Sequence, residues 1–139
     1  MKKIVLLFIF TLSFYSCKEK IGANDINKLN GYWEIKTVNL PDGNHRDYKV
    51  NETIDYFQLK DNKGFRQKVM PQFDGKFKTN DVKETIAIST KNGIYYINYT
   101  TNYGKWKEEI KSLEDSVLIL ENKDNIEYMY KRHIPFSIK

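Results

Sequence analysis

The chain has 139 residues, with 23 basic and 18 acidic side chains, a 14% aromatic share and a single cysteine. One cysteine excludes an intrachain disulfide, so the fold must stand on its own core. A formal charge of +5 is too mild to point to nucleic acid, and the length suits one domain of modest size.

Met1, Lys2 and Lys3 open the chain, which is then apolar from Ile4 to Tyr15 apart from Thr11 and Ser13, before Ser16 and Cys17. That is the layout of a secretory signal. A helix of those twelve apolar-run residues would measure about 18 Å, short of the roughly 30 Å hydrocarbon core, so it is a poor membrane span. The ending Phe14-Tyr15-Ser16-Cys17 resembles the lipobox of bacterial lipoproteins, in a loosened form similar to that of Bacteroidetes-type bacteria. Ser16 fits the small residue before the cut, whereas Phe14 and Tyr15 depart from the usual aliphatic and small residues. The resemblance implies removal of a signal peptide over residues 1–16 and attachment of acyl chains such as palmitate at Cys17. A lipid anchor in place of a spanning helix would then hold the protein at the cell envelope, outside the cytoplasm, with the outer membrane as the expected site. Without residues 1–16, 21 basic side chains face 18 acidic ones, a charge of +3.

Residues 17–25 read as a tether and residues 26–139 as the folded domain. Ile26 and Leu29, behind a cap at Asn24 or Asp25 and ahead of Gly31, predict one helical turn. Beyond it, short apolar segments between turn residues predict strands over 32–39, 53–60, 65–70, 73–79, 84–91, 94–101, 105–113, 116–121 and 126–132. The class is all-β. Successive hairpins with short turns predict an antiparallel up-and-down barrel of eight to nine strands, because closure removes exposed edges.

Two hairpins carry enough turn chemistry to set a register. Asn92-Gly93 is a strong two-residue turn and places Lys91 opposite Ile94, Thr90 opposite Tyr95, Ile88 opposite Ile97 and Ile86 opposite Tyr99. The other face of that ribbon holds Ala87, Ser89, Tyr96 and Asn98. In the earlier hairpin, a three-residue loop Asn62-Lys63-Gly64 with Gly64 left-handed sets Leu59 opposite Gln67 and Phe57 opposite Val69, so that Phe57, Leu59, Phe65 and Val69 share a face.

The stretch Leu29-Asn30-Gly31-Tyr32-Trp33-Glu34-Ile35 is similar to the start of a lipocalin, whose first strand opens with Gly-x-Trp after a short helical turn. Thr101-Asn102-Tyr103 resembles that family's Thr-Asp-Tyr turn, with Asn in place of Asp. The resemblance implies a lipocalin-like barrel over residues 26–133, in which Arg132 lies over Trp33 and, with Gly31, forms a structural plug. There is a tension in the count. The family's late arginine follows an eighth strand, and Arg132 ends the ninth predicted here.

Converging catalytic groups are scarce. His45 and His133 stand in no metal-ligand spacing and read as exposed, and the adjacent Glu108 and Glu109 must point to opposite faces of a strand. Asp61-Asn62-Lys63-Gly64 lacks the alternating oxygens of a calcium loop. The expectation is a non-enzymatic protein with no catalytic residue, metal or cofactor. Phe57, Leu59, Ile86, Ile88, Tyr95, Ile97 and Tyr99 are the candidate ligand-binding residues, facing an apolar calyx for a small hydrophobic ligand. The alternative is a filled barrel whose Tyr96, Tyr103 and Trp106 region docks a protein or glycan. Residues 39–52 would form a loop over the open mouth, where Arg46 or Tyr48 could gate entry. The membrane, through the lipid anchor, is the one macromolecular partner expected; no nucleic acid is, and a protein partner is left open.

Overall fold

The computed structural model describes residues 20–135, so the expected signal segment and Cys17 lie outside the described residues. A 3-10 helix spans Ala23–Leu29. It starts earlier than the expected cap, because the Gly22 N–H donates to the Asp25 carboxylate at 2.8 Å, leaving Asn24 and Asp25 inside the helix. Ile26 and Leu29 are its buried residues. Among the described residues no helix is long and apolar enough to cross a membrane.

Nine strands follow: β1 (Gly31–Asn39), β2 (His45–Asp47), β3 (Ile54–Lys60), β4 (Lys63–Pro71), β5 (Phe77–Lys91), β6 (Ile94–Thr101), β7 (Gly104–Leu113), β8 (Val117–Glu121) and β9 (Glu127–Arg132). All pairings are antiparallel, and β1 pairs with β9. Eight strands thus close an up-and-down barrel, with β2 added on the end of β1. The number nine agrees with the sequence reading for a different reason. The segments 73–79 and 84–91 are not two strands, since β5 runs unbroken from Phe77 to Lys91. The gap expected between them is a bulge within the strand: Asn80, Asp81 and Val82 stand against Lys68, between Thr79 opposite Val69 and Lys83 opposite Gln67, and Asp81 takes a positive φ of 61°. The ninth strand is β2, inside the segment expected to be a loop. There Leu40 N–H donates to the Asn44 carbonyl at 2.8 Å and closes a small hairpin. Arg132 therefore ends the eighth barrel strand, which removes the tension in the count.

The β5–β6 hairpin has the register that its Asn92-Gly93 turn dictates, with Ile88 opposite Ile97 and Ile86 opposite Tyr99. The β3–β4 hairpin does not. Its turn is the two-residue Asp61-Asn62, both at positive φ, so Leu59 lies opposite Gly64 and Phe57 opposite Arg66. The shift from the expected register is odd, which exchanges the two faces of β4. Phe65 and Val69 leave the face of Phe57 and Leu59, and Arg66 takes their place. Gly64 is needed for proximity rather than for a left-handed turn: a Cβ there would lie 1.8 Å from the Gln58 carbonyl oxygen.

The core fills the barrel around Trp33, Phe57, Ile86, Ile97, Leu118 and Leu120, each fully screened from solvent. Bulges at Lys36 and Lys111 change the face of β1 and β7, so that Ile110 and Leu113, three residues apart, both join this core. A second, aromatic layer lies on the outer face. Tyr32 stacks on Tyr56 at 4.7 Å and on Phe77 at 4.1 Å, which brings the start of β5 back over β1 and β3.

Beside that layer, Glu34 accepts from Lys131 at 3.2 Å and meets His133 Nδ1 at 2.7 Å. Burial opposes the Glu34 charge, but these two partners outweigh it and hold the carboxyl below its ordinary 4.5. A lowered folded value contributes stability that is present above the unfolded value and is lost as pH falls through the folded one. Glu34→Gln should cost about 1 kcal/mol at neutral pH and flatten the decline below about pH 4.5 in urea titrations.

Candidate functional site

One end of the barrel is sealed by backbone and ring contacts. Trp33 Nε1 donates to the Leu29 carbonyl at 2.8 Å, and the Asn30 side chain accepts from the Leu59 N–H at 2.6 Å, tying the 3-10 helix to β1 and β3. The Arg132 guanidinium lies 4.1 Å from the Trp33 ring centre, a cation–π contact of about 0.5 to 2 kcal/mol. It also donates to the Asn30 carbonyl at 2.8 Å and to the carbonyls of Lys28 and Asp115. Gly31, at φ 115°, leaves room for it, since a Cβ there would meet Arg132 Nη1 at 2.8 Å.

Toward the other end the inward positions become charged. By register Arg66 faces inward with Phe57 and Glu84, and Glu108 with Ile97. Arg66 Nη2 donates to Glu84 at 2.6 Å, while Nη1 stands 3.6 Å from Glu108 and 3.4 Å from the Tyr99 hydroxyl. Its guanidinium also lies 4.3 Å over the Tyr99 ring. Lys68 Nζ pairs with the buried Asp55 at 2.6 Å. Burial works against the Arg66 charge, yet Tyr99, Asp55 and Glu84 outweigh it and raise its pKa. Burial pushes the Glu108 carboxyl above its ordinary range; the Tyr99 hydroxyl and Arg66 draw it back, and Asp55 and Glu84 push it up again. The phenols of Tyr99 and Tyr130 are driven well up, chiefly by burial. Three polar atoms of this collar, Asp55 Oδ1, Arg66 Nε and Glu108 Oε1, are buried without a satisfied hydrogen bond, although Lys68 pairs ionically with the first.

A family model described as a lipocalin-like domain matches residues 29–120. The chain belongs to this lipocalin-like family. Two solved structures are similar to it. One is a lipocalin-like protein from Bacteroides uniformis ATCC 8492, 20% identical, aligned over 76% of this chain and 99% of that one with a TM-score of 0.49. The other is an uncharacterized protein from Bacteroides eggerthii DSM 20697, 15% identical over the same shares, with a TM-score of 0.48. No curated protein matches the chain.

Within this lipocalin-like barrel, the seven candidate ligand-binding residues are packed together. Phe57, Leu59, Ile86, Ile97 and Tyr99 are buried, and Ile88 and Tyr95 pack half-buried against them. They form the apolar floor beneath the collar. Arg66, Glu84, Glu108 and Asp55 were not legible as a group, although alternation from Ile86 and Ile88 already places Glu84 on the inner face.

The Tyr96, Tyr103 and Trp106 region is not one surface. Trp106 lies opposite Tyr99 and stacks on it at 5.3 Å, on the inner face, whereas Tyr96 lies opposite Glu109 on the outer one. Tyr103, in the turn between β6 and β7, is wholly exposed. Arg46 stacks over Tyr48 at 5.2 Å, and Tyr48 is half-buried beside the exposed β2. Of the two histidines, His45 is exposed, but His133 is not, being held against Glu34. Among the described residues no group of three His, Cys, Asp or Glu side chains is placed to hold a metal.

Proposed function

We propose that the protein is a non-catalytic binding protein of the cell envelope, which takes a small apolar or amphipathic molecule through the open end of its barrel. The observation that carries this reading is the collar: ionisable groups with unmet hydrogen-bonding capacity lie inside a closed barrel, above an apolar floor. Burying such groups without partners costs about 1 to 3 kcal/mol each, a cost a bound molecule can offset. Solvent reaches the collar, as the side chains of Arg66 and Glu84 keep 13% and 21% of their exposure. Native mass spectrometry of the full chain, purified from membranes, should show a small molecule retained by the barrel. A chain that carries none, and that binds none of a panel of amphiphiles, contradicts the proposal.

The lipid anchor at Cys17 is the second part of the proposal. Cys17→Ser should abolish incorporation of labelled palmitate and move the protein from the membrane to the soluble fraction. Continued labelling of that variant would rule the anchor out. A docking role for a protein or glycan is favoured by one feature, the exposed Tyr103, which borders a rim cleft of 290 Å³ with Val82, Lys83 and Thr100.

A further inference from the structure

Within the collar, charges pair unequally. Lys68 is matched to Asp55 and Arg66 to Glu84, each at 2.6 Å. Glu108 has only a share of Arg66: it is 7% exposed, its ion pair with Arg66 Nη1 is 3.6 Å long, beyond donating distance, and its Oε1 accepts no hydrogen bond. Two cations face three carboxylates, so the group carries one surplus negative charge. Aromatic rings adjoin it. Trp106 and Glu108 share the inner face of β7, Trp106 lies on Tyr99, and Tyr128 and Tyr130 face the same interior opposite Leu120 and Leu118. A buried carboxylate among ring faces is suited to an organic cation, which would receive both a charge-assisted hydrogen bond and cation–π attraction.

We propose that Glu108 and the rings of Tyr99, Trp106 and Tyr128 form a subsite for a protonated amine, so that the ligand is an apolar molecule ending in an ammonium group. This rests on the barrel's being a binding site at all. The ammonium donates to Glu108 Oε1, and the apolar remainder extends toward the mouth past Trp106, which is 41% exposed. An anionic head group could address only Arg66, whose charge Glu84 already meets, and would enter a group that is negative before it arrives.

The test compares octylamine, octanol and octanoate by isothermal titration, at neutral pH, on the full chain in phosphatidylcholine nanodiscs, with empty nanodiscs as the reference for partition. Octylamine should bind about tenfold tighter than either of the others. Glu108→Gln should erase that preference, whereas Glu109→Gln, on the outer face, should keep it. Binding of octanol or octanoate as tight as octylamine, or a preference that survives Glu108→Gln, overturns the amine subsite and leaves the binding reading standing. Failure of all three to bind defeats the binding reading itself. The three-ligand comparison on the native chain decides the matter even where the variant does not fold.

Discussion

Ile97→Asp leaves the chain unfolded in water at neutral pH. Ile97 is wholly buried in the barrel floor, opposite Ile88 on one side and Glu108 on the other. The substitution removes an isoleucine side chain worth about 1.5 to 3 kcal/mol of burial and sets a carboxylate, without a cation of its own, beside one that already shares its only cation, Arg66, with Glu84. Several kilocalories are lost from a total that is typically about 5 to 15 kcal/mol. Trp33 reports the outcome, because it is fully buried: its fluorescence should move to that of solvated indole, and the sheet signal in circular dichroism should disappear. Ile94→Asp, at a position 39% exposed beside the Asn92-Gly93 turn, should change stability by less than about 1 kcal/mol. Equal damage from the two would mean that the β5–β6 ribbon does not face the interior as described.

Arg66→Met has the second-largest effect, and its size depends on pH. The guanidinium is the centre of the collar, and without it Glu84 and Glu108 remain inside the barrel with Lys68 as the sole cation, itself paired to Asp55. Breaking a buried pair from one side costs about 3 to 5 kcal/mol. Loss of Arg66 removes a neighbour that lowers the Glu108 pKa, so this carboxyl rises further above its unfolded value. A raised folded pKa in an acid gives stability that is present at low pH and lost as pH rises through it. The deficit of Arg66→Met in urea titrations should therefore be smallest near pH 4.5 and grow toward neutrality. Adding Glu108→Gln should recover part of it at pH 7.5. A deficit that does not change with pH would show that the guanidinium acts by packing alone.

The sequence was legible where turn chemistry is unambiguous. Asn92-Gly93 admits one hairpin, and all of its pairs follow. Gly31, Trp33 and Arg132 could be placed because residues 29–35 resemble the start of a lipocalin, a likeness that implies this plug, and the guanidinium does lie over the indole. Two passages misled for physical reasons. Asp61-Asn62-Lys63-Gly64 offers two turns, of which the chain adopts the shorter, since Asp61 and Asn62 both tolerate positive φ and Gly64 is taken up by close approach to β3. Asn80 and Asp81 fall in the gap expected between two strands, but Thr79 Oγ1 and Asn80 Oδ1 accept from backbone N–H groups two residues on, at 3.1 Å each, and the strand continues past a bulge.

The collar was hidden by the first of these errors. With β4 in the wrong register, Arg66 falls outside and Val69 inside, and the interior seems wholly apolar. The correct face makes Arg66 the neighbour of Phe57 and Tyr99, and Glu84 and Glu108 then follow from alternation along β5 and β7. An apolar calyx becomes an apolar floor with a charged storey above it.

The most direct measurement is a carboxyl carbon-13 NMR titration of the full chain, with the Glu108 resonance assigned through Glu108→Gln. A carboxylate enclosed by the barrel and short of partners should titrate above the ordinary glutamate value of 4.5, and its resonance should move when octylamine is added at neutral pH. A Glu108 that titrates as an exposed glutamate, and does not respond to the amine, would mean that the lumen is not the closed and charged interior described here.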